Sequence, residues 1–268
     1  MTYKSTDTSS HRRHFIIPDT QCTPGMDDSY FTAIGNAIVD LEPTSLIHLG
    51  DHWDFPSLSS YDKGKKSFEG RSYLADVECG NQALEKLMAP IKAEVARRKK
   101  GKRKHWDIMN NLYFTWGNHE ARQDRVVDEN RELTDLVGYH NLNAEELGFK
   151  CYPFLEPVVI DGVAYCHYFT SGVMGRPVSS AANMLNKKHQ STIMGHVQDR
   201  QIAYAKRADG SRITGIFAGI CYEEQQGYLT PQTNTDSTWA GCWVLNEVSQ
   251  GSFDEMPLSL SYIRRKYG

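Results

Sequence analysis

Five short apolar runs end in residues that hold metals or move protons. His14-Phe15-Ile16-Ile17-Pro18 runs into Asp19, Ser45-Leu46-Ile47-His48-Leu49-Gly50 into Asp51, and Tyr113-Phe114-Thr115-Trp116-Gly117 into Asn118-His119-Glu120. Val163-Ala164-Tyr165-Cys166 runs into His167, and Ser191-Thr192-Ile193-Met194-Gly195 into His196. Runs of this length, rich in β-branched and aromatic residues and closed by glycine or a polar group, read as buried strands. In open α/β sheets ligands collect at the carboxyl ends of strands, so endings scattered along a chain can meet at one site. The pattern predicts an α/β fold with a polar site where these strands stop.

The intervening segments fit that frame. After Asp19-Thr20-Gln21, Pro24 and Gly25 hold a loop open; a helix capped by Asp27 or Asp28 then carries Tyr30, Phe31, Ile34, Ile38 and Leu41 at helical spacing to Pro43. Strand, helix and strand form one right-handed parallel unit. Residues 55–71 read as an irregular loop over the site, and a long helix is expected from Ser72 to Lys100 around Pro90. A polar helix is expected from Ala121 to about Val137, a hairpin turning at Asp161-Gly162 within 158–169, and a helix from Ser179 to Lys188. Segments 201–206, 212–220, 239–248 and 252–262 read as strands, so the second half is mostly β and could face the first as a second sheet.

Length and composition suit one large domain over residues 14–268, behind a loose polar leader at 1–13. A net charge of −3 names no partner, and no apolar run approaches membrane-spanning length. Six cysteines without a CxxC pair read as buried reduced thiols, and a cytoplasmic protein with no membrane partner is expected.

Asp19, Gln21, Asp51, Asn118, His167, His196 and Gln198 are the candidate metal ligands. Carboxylate, amide and imidazole without thiolate suit manganese, iron, zinc or magnesium and argue against a structural zinc site. The set is large enough for two ions bridged by one carboxylate, with Asp51 the natural bridge. His140 stands in reserve for His167, while His48, His52 and Asp54 read as bracing residues. Arg122 and Arg125, just past the central run, are candidate phosphate-binding residues.

Taken in order, Asp19-x-Gln21, Gly50-Asp51-x-x-Asp54, Gly117-Asn118-His119-Glu120, His167 and Gly195-His196-x-Gln198 resemble the motifs of calcineurin-like metallophosphoesterases over roughly residues 14–200. The resemblance implies a two-sheet α/β sandwich flanked by helices, with two divalent ions at the strand ends. It implies that Asp19, Gln21, Asp51 and Gln198 hold the first ion and Asp51, Asn118, His167 and His196 the second. His119 would be the general acid or charge stabiliser, oriented by Glu120, and a metal-bridging hydroxide would attack phosphorus. The common family pattern has DxH and GHxH where this chain has Gln21 and Gln198. Relatives tolerate each change singly, since 5′-nucleotidases carry GHxQ and manganese-dependent ADP-ribose and CDP-alcohol diphosphatases carry DxQ. The amide oxygens favour manganese or magnesium at the first site and a weaker hold on it.

A phosphodiesterase or nuclease is the expected activity. The cations between Arg97 and Lys104 suit a single- or double-stranded nucleic-acid backbone as well as a solvated helix end, and Trp53, Phe55, Tyr61 and Phe68 could stack bases. Hydrolysis of a nucleotide or small phosphate ester is the alternative. A non-catalytic scaffold on the same fold is the third.

Overall fold

The computed structural model describes residues 12–60, 69–101, 105–222 and 238–268. The expected leader and the aromatics Tyr61 and Phe68 fall outside the described residues, apart from Arg12 and Arg13. The chain is mixed α/β. Strands β1 (His14–Ile17), β2 (Ser45–His48), β3 (Leu112–Thr115) and β4 (Lys150–Tyr152) lie parallel to one another in sequence order. The late strands β12 (Gly241–Ser249) and β13 (Ser252–Ser259) extend that sheet antiparallel beyond β1, giving the order β13-β12-β1-β2-β3-β4.

A second sheet has the order β10-β11-β9-β6-β5. Its members are β5 (Val158–Ile160), β6 (Val163–Cys166), β9 (Thr192–Met194), β10 (Arg200–Lys206) and β11 (Arg212–Ala218). β6, β9 and β11 are parallel; β5 and β10 are antiparallel edges. A small hairpin, β7 (Thr170–Ser171) and β8 (Arg176–Pro177), follows β6. The division into sheets does not follow the halves of the chain, because β12 and β13 return to the first sheet.

The continuous apolar runs have a simple cause. β1, β2, β6 and β9 are buried at every residue, so both faces of each strand select apolar side chains. Ile16, Ile47 and Leu245 of the first sheet share one buried cluster with Tyr165, Ile193 and Ile216 of the second. His14, buried within β1, meets Tyr165 Oη at 2.6 Å and Asp161 at 2.9 Å, a polar tie between the sheets at the end remote from the ligands.

Helices α1 (Ser29–Leu41), α2 (Tyr73–Lys100) and α5 (Leu260–Tyr267) supply Phe31, Ile34, Leu84, Leu87 and Ile263 to a second cluster with Phe15, Leu46 and Phe114. α4 (Ala181–Lys188) packs Met184 against Met194 and Phe217 of the five-stranded sheet. Each such fully buried side chain contributes about 1.5–3 kcal/mol. Ser72 and Ser180 cap α2 and α4 through their hydroxyls, as helix-start chemistry requires.

Two expected elements differ. The polar helix after the central strand, α3 (Arg122–Glu129), ends eight residues short of Val137, where Asn130 leaves helical geometry (φ −140°) and a 3-10 turn begins at Arg131. The final strand stops at Ser259, whose hydroxyl accepts from Tyr262 N and starts α5 within the expected strand 252–262. Among the described residues no helix is long and apolar enough to cross a membrane.

Candidate metal centre

Parallel neighbours end at the same level, so the strand ends of each sheet deliver their ligands together. β2 continues through Leu49 and Gly50 to Asp51, which sits in the left-handed region (φ 48°) and is buried. β3 continues to Gly117 and Asn118, and Gly117 lies so close to Asp51 that any Cβ there would strike Asp51 Oδ1. That contact is why glycine precedes Asn118. His119 N donates to Asp51 Oδ1 at 2.9 Å, locking the two turns together.

From the other sheet, β6 ends at His167 and β9 at His196, also left-handed (φ 64°). A glycine is required before His196 as well, since a Cβ on Gly195 would strike Asp19 Oδ1. His167 Nδ1–H donates to Leu49 O at 2.8 Å, which fixes the tautomer and turns Nε2 toward the ligand group. Nε2 lies 3.3 Å from Asp51 Oδ2, 2.9 Å from Asn118 Oδ1 and 3.3 Å from His196 Nδ1. The ligand atoms of Asp51, His167 and His196 all fall within 4.8 Å of one another. Left-handed conformations cost ordinary residues about 1–3 kcal/mol, and they cluster where function fixes the backbone. Here Asp51, His196 and Gln21 (φ 40°) share that cost.

The electrostatics suit a cation. Burial lowers the His167 pKa, but Asp51, together with Asp19 and the bond to Leu49 O, more than offsets this and leaves it pushed up to about 9. Burial and the neighbouring His167 push His196 down to about 4, keeping its lone pair free. Burial also disfavours the Asp51 carboxylate, yet His119 and His167 hold it well below the usual range. One buried carboxylate, one amide oxygen and two imidazole nitrogens thus converge where positive charge is stabilised. The donors fit a divalent ion of the manganese, iron or zinc type.

The expected first-ion set is less assembled. Asp19 is buried, and its carboxylate accepts from His196 N at 2.9 Å and 3.2 Å; burial pushes it up to about 7. Its loop is bound to Asp51 by Gln21 N donating to Asp51 O at 2.9 Å, and to β11's extension by Cys221 N donating to Asp19 O at 2.7 Å. Gln21 is buried beside these bonds, whereas half-buried Gln198 donates Nε2 to Tyr222 Oη at 3.3 Å.

His119 lies beside the ligand group, with Nε2 3.6 Å from Asp51 Oδ2, but its hydrogen-bond partners differ from the Glu120 expected. Nδ1–H donates to Asp54 Oδ1 at 2.6 Å, and Nε2 accepts from Arg122 Nη2 at 3.1 Å. Arg122 Nη1 also donates to Asp54 O at 2.6 Å. Burial lowers the His119 pKa, and Asp51 and Asp54 raise it further than burial lowers it. Glu120 does other work. Its two oxygens accept from Asp51 N, His52 N, Trp53 N and Gly117 N at 2.6–3.0 Å, so it ties the two turns together rather than orienting His119. Burial pushes it up to about 7 while these amides favour the anion.

Asp54 was legible only as a bracing residue; its spacing three residues after Asp51 was the available signal. His48 stacks on Phe114, and His52 bonds Thr20 Oγ1 and Gly80 O, so both brace the loop. His140 is exposed on a 3-10 turn and takes no part, and Arg125 is exposed on α3.

Of the features that suggested nucleic acid, Trp53, Phe55, Arg97 and Arg98 are engaged elsewhere, while Lys99 and Lys100 are exposed at the end of α2. Trp53 and Phe55 are fully buried, the first over Gly80 and the second stacked on Tyr73, so neither can stack a base. Arg97 and Arg98 pair with Glu94, and Arg98 with Glu42. They lie about 25 Å along α2 from Gly80, which touches the site loop. Lys102, Arg103 and Lys104 lie outside the described residues.

No protein-family model matches the chain. A stretch of 82 residues, 31% of the chain, is 33% identical to the Gene 54 protein of Mycobacterium phage D29. The match spans 31% of that relative's length.

Proposed function

We propose that this chain is a divalent-metal-dependent phosphoesterase of the calcineurin-like metallophosphoesterase type, its two sheets packed as a sandwich with the site at their common end. The observation that supports the reading most is the meeting of Asp51, Asn118, His167 and His196 from four separate strand ends, with His119 beside them. Divalent ions bound there would lower the pKa of water and screen phosphate charge. Asp51 would serve both ions, and His167 and His196 would present neutral nitrogens. With Arg122 turned from Nε2 to a phosphate oxygen, His119 protonated at Nε2 would give a proton to a leaving oxygen while Asp54 holds Nδ1–H. Arg122, already against His119, is the chain's candidate for a phosphate oxygen; Arg125 has weaker support because it is exposed.

Manganese is the proposed ion, because Gln21 and Gln198 offer oxygen where imidazole would favour zinc. A phosphodiester is the first substrate to test, without a preference for nucleic acid. A cytoplasmic setting fits the free thiols, including Cys221 and Cys242 with sulfurs 3.5 Å apart. The test is elemental analysis together with hydrolysis of bis(p-nitrophenyl) phosphate in added manganese, for the protein, Asp51→Asn and His119→Ala. Bound metal, with turnover lost in both variants, is the expected result. A folded protein that neither binds nor turns over with manganese, magnesium, iron or zinc would reduce the fold to a scaffold.

A further inference from the structure

One side of the ligand group is walled by aromatic rings that the proposed chemistry does not use. Tyr168, the residue after His167, places its ring 4.6 Å from that of His196 and 5.8 Å from that of His167. Phe154, on the turn after β4, meets Tyr168 edge-on at 5.4 Å and His167 at 6.2 Å. Both rings are half-buried at the margin of the core, Phe154 against the cluster under α1 and α2 and Tyr168 against the cluster under α4. The hairpin β7–β8 begins two residues later and carries Val173 and Met174 exposed at its tip. Polar ligands at the base and apolar rings on one side are the usual division of a small-molecule site, in which a few polar groups fix orientation and apolar surface supplies affinity.

We infer that Tyr168, supported by Phe154, is a specificity-determining residue that stacks a planar aromatic group, of the nucleobase kind, carried by the phosphate ester. The inference rests on the phosphoesterase reading for the position of the phosphate. An aromatic face accepts any base, so the wall selects for a planar ring rather than for one sequence or one hydrogen-bond pattern. A ring against Tyr168 would leave its phosphate within reach of His196 and His167, whose rings Tyr168 touches. Tyr168 is therefore expected to act on binding, not on the chemical step.

The test is calorimetric titration of the manganese-loaded full chain with AMP and with ribose 5-phosphate, which share the sugar phosphate and differ in the base. AMP is expected to bind about tenfold more tightly. Tyr168→Ala should erase that preference while leaving ribose 5-phosphate affinity unchanged, and Tyr168→Phe should keep it. Equal affinity for the two ligands, or a preference that survives Tyr168→Ala, overturns the stacking role and leaves the phosphate site standing. Binding of neither ligand overturns both. A loss of affinity for both ligands in Tyr168→Ala, with manganese binding reduced, would show a structural role and sink the inference.

Discussion

The two expected ligand sets share the same strand ends but are built differently. Asp51, Asn118, His167 and His196 each lie within three residues of a strand's last residue, and each is fixed by a backbone or side-chain bond to a neighbouring strand end. Gln21 lies farther out in a loop, and Gln198 spends an amide N–H on Tyr222. Rigid strands position side chains more closely than loops do, so the His167 set is organised in advance, whereas Gln21 and Gln198 stand on loops. The distinction predicts one tightly held ion and one loosely held ion.

The strongest way to break that asymmetry is to remove the residue common to both sets. Asp51→Asn should abolish tight metal binding and lower turnover on the order of a thousandfold, since the ions supply several kcal/mol of charge stabilisation. Elemental analysis and steady-state kinetics at fixed manganese check it. A variant that retained both ions and rate would show that Asp51 is no bridge.

Next in size is the proposed proton-handling pair, His119 and Asp54, which tests whether the organised half extends beyond the candidate ligands. His119→Ala should cost about a hundredfold or more in kcat with metal content unchanged. Asp54→Asn should cost about tenfold, because His119 keeps its place through Arg122 but loses its carboxylate. If Asp54→Asn left the pH–rate profile where it was, Asp54 would be bracing the loop and nothing more.

The same contrast explains what could be seen in the sequence. The strand-end residues that meet here were legible because a fully buried strand writes an uninterrupted apolar run and its end shows as an abrupt polar residue, as at Leu49-Gly50-Asp51 and Met194-Gly195-His196. The partners of His119 were not legible. Asp54 lies on the loop after β2 and Arg122 at the start of α3, and they meet through the carbonyl contacts of Arg122 and their shared bonds to His119. Trp53 and Phe55 misled for the related reason that their segment looks like an open loop while α2 covers it. β4, three residues long, and the switch from β13 to α5 at Ser259 escaped because neither changes the local apolar pattern enough to mark a boundary. The return of β12 and β13 to the first sheet is a tertiary choice with no local signature.

A smaller effect separates the sets without mutation. In metal-free protein the folded-state pKa of His167 is raised to about 9 from an ordinary 6.5. The proton it gains on folding therefore stabilises the fold fully below about pH 6.5, and this contribution is lost as pH rises toward 9. In chelator, Tm should fall by several degrees across that window, and saturating manganese should flatten the curve by replacing the proton with a cation. His167→Ala should lessen the fall in chelator, leaving the part owed to His119, Asp19 and Glu120, whose pKa values are also raised. An unchanged slope in that variant would assign the titration to another group.

The smallest expected effect falls on the loosely built half. Gln198→Ala should change the affinity of the tight ion by less than about threefold, because Gln198 stands outside the His167 set. Replacing both amides, Gln21→His with Gln198→His, should do more than removing one. Imidazole binds divalent transition ions more strongly than a neutral amide oxygen does, so the double variant should hold a second ion tightly and shift its preference from manganese toward zinc. Competition dialysis with both metals, read by elemental analysis, decides the matter. If the double variant still holds one ion, the identity of the two side chains is not what weakens the first site; their placement on loops is, and the structural asymmetry outranks the chemical one.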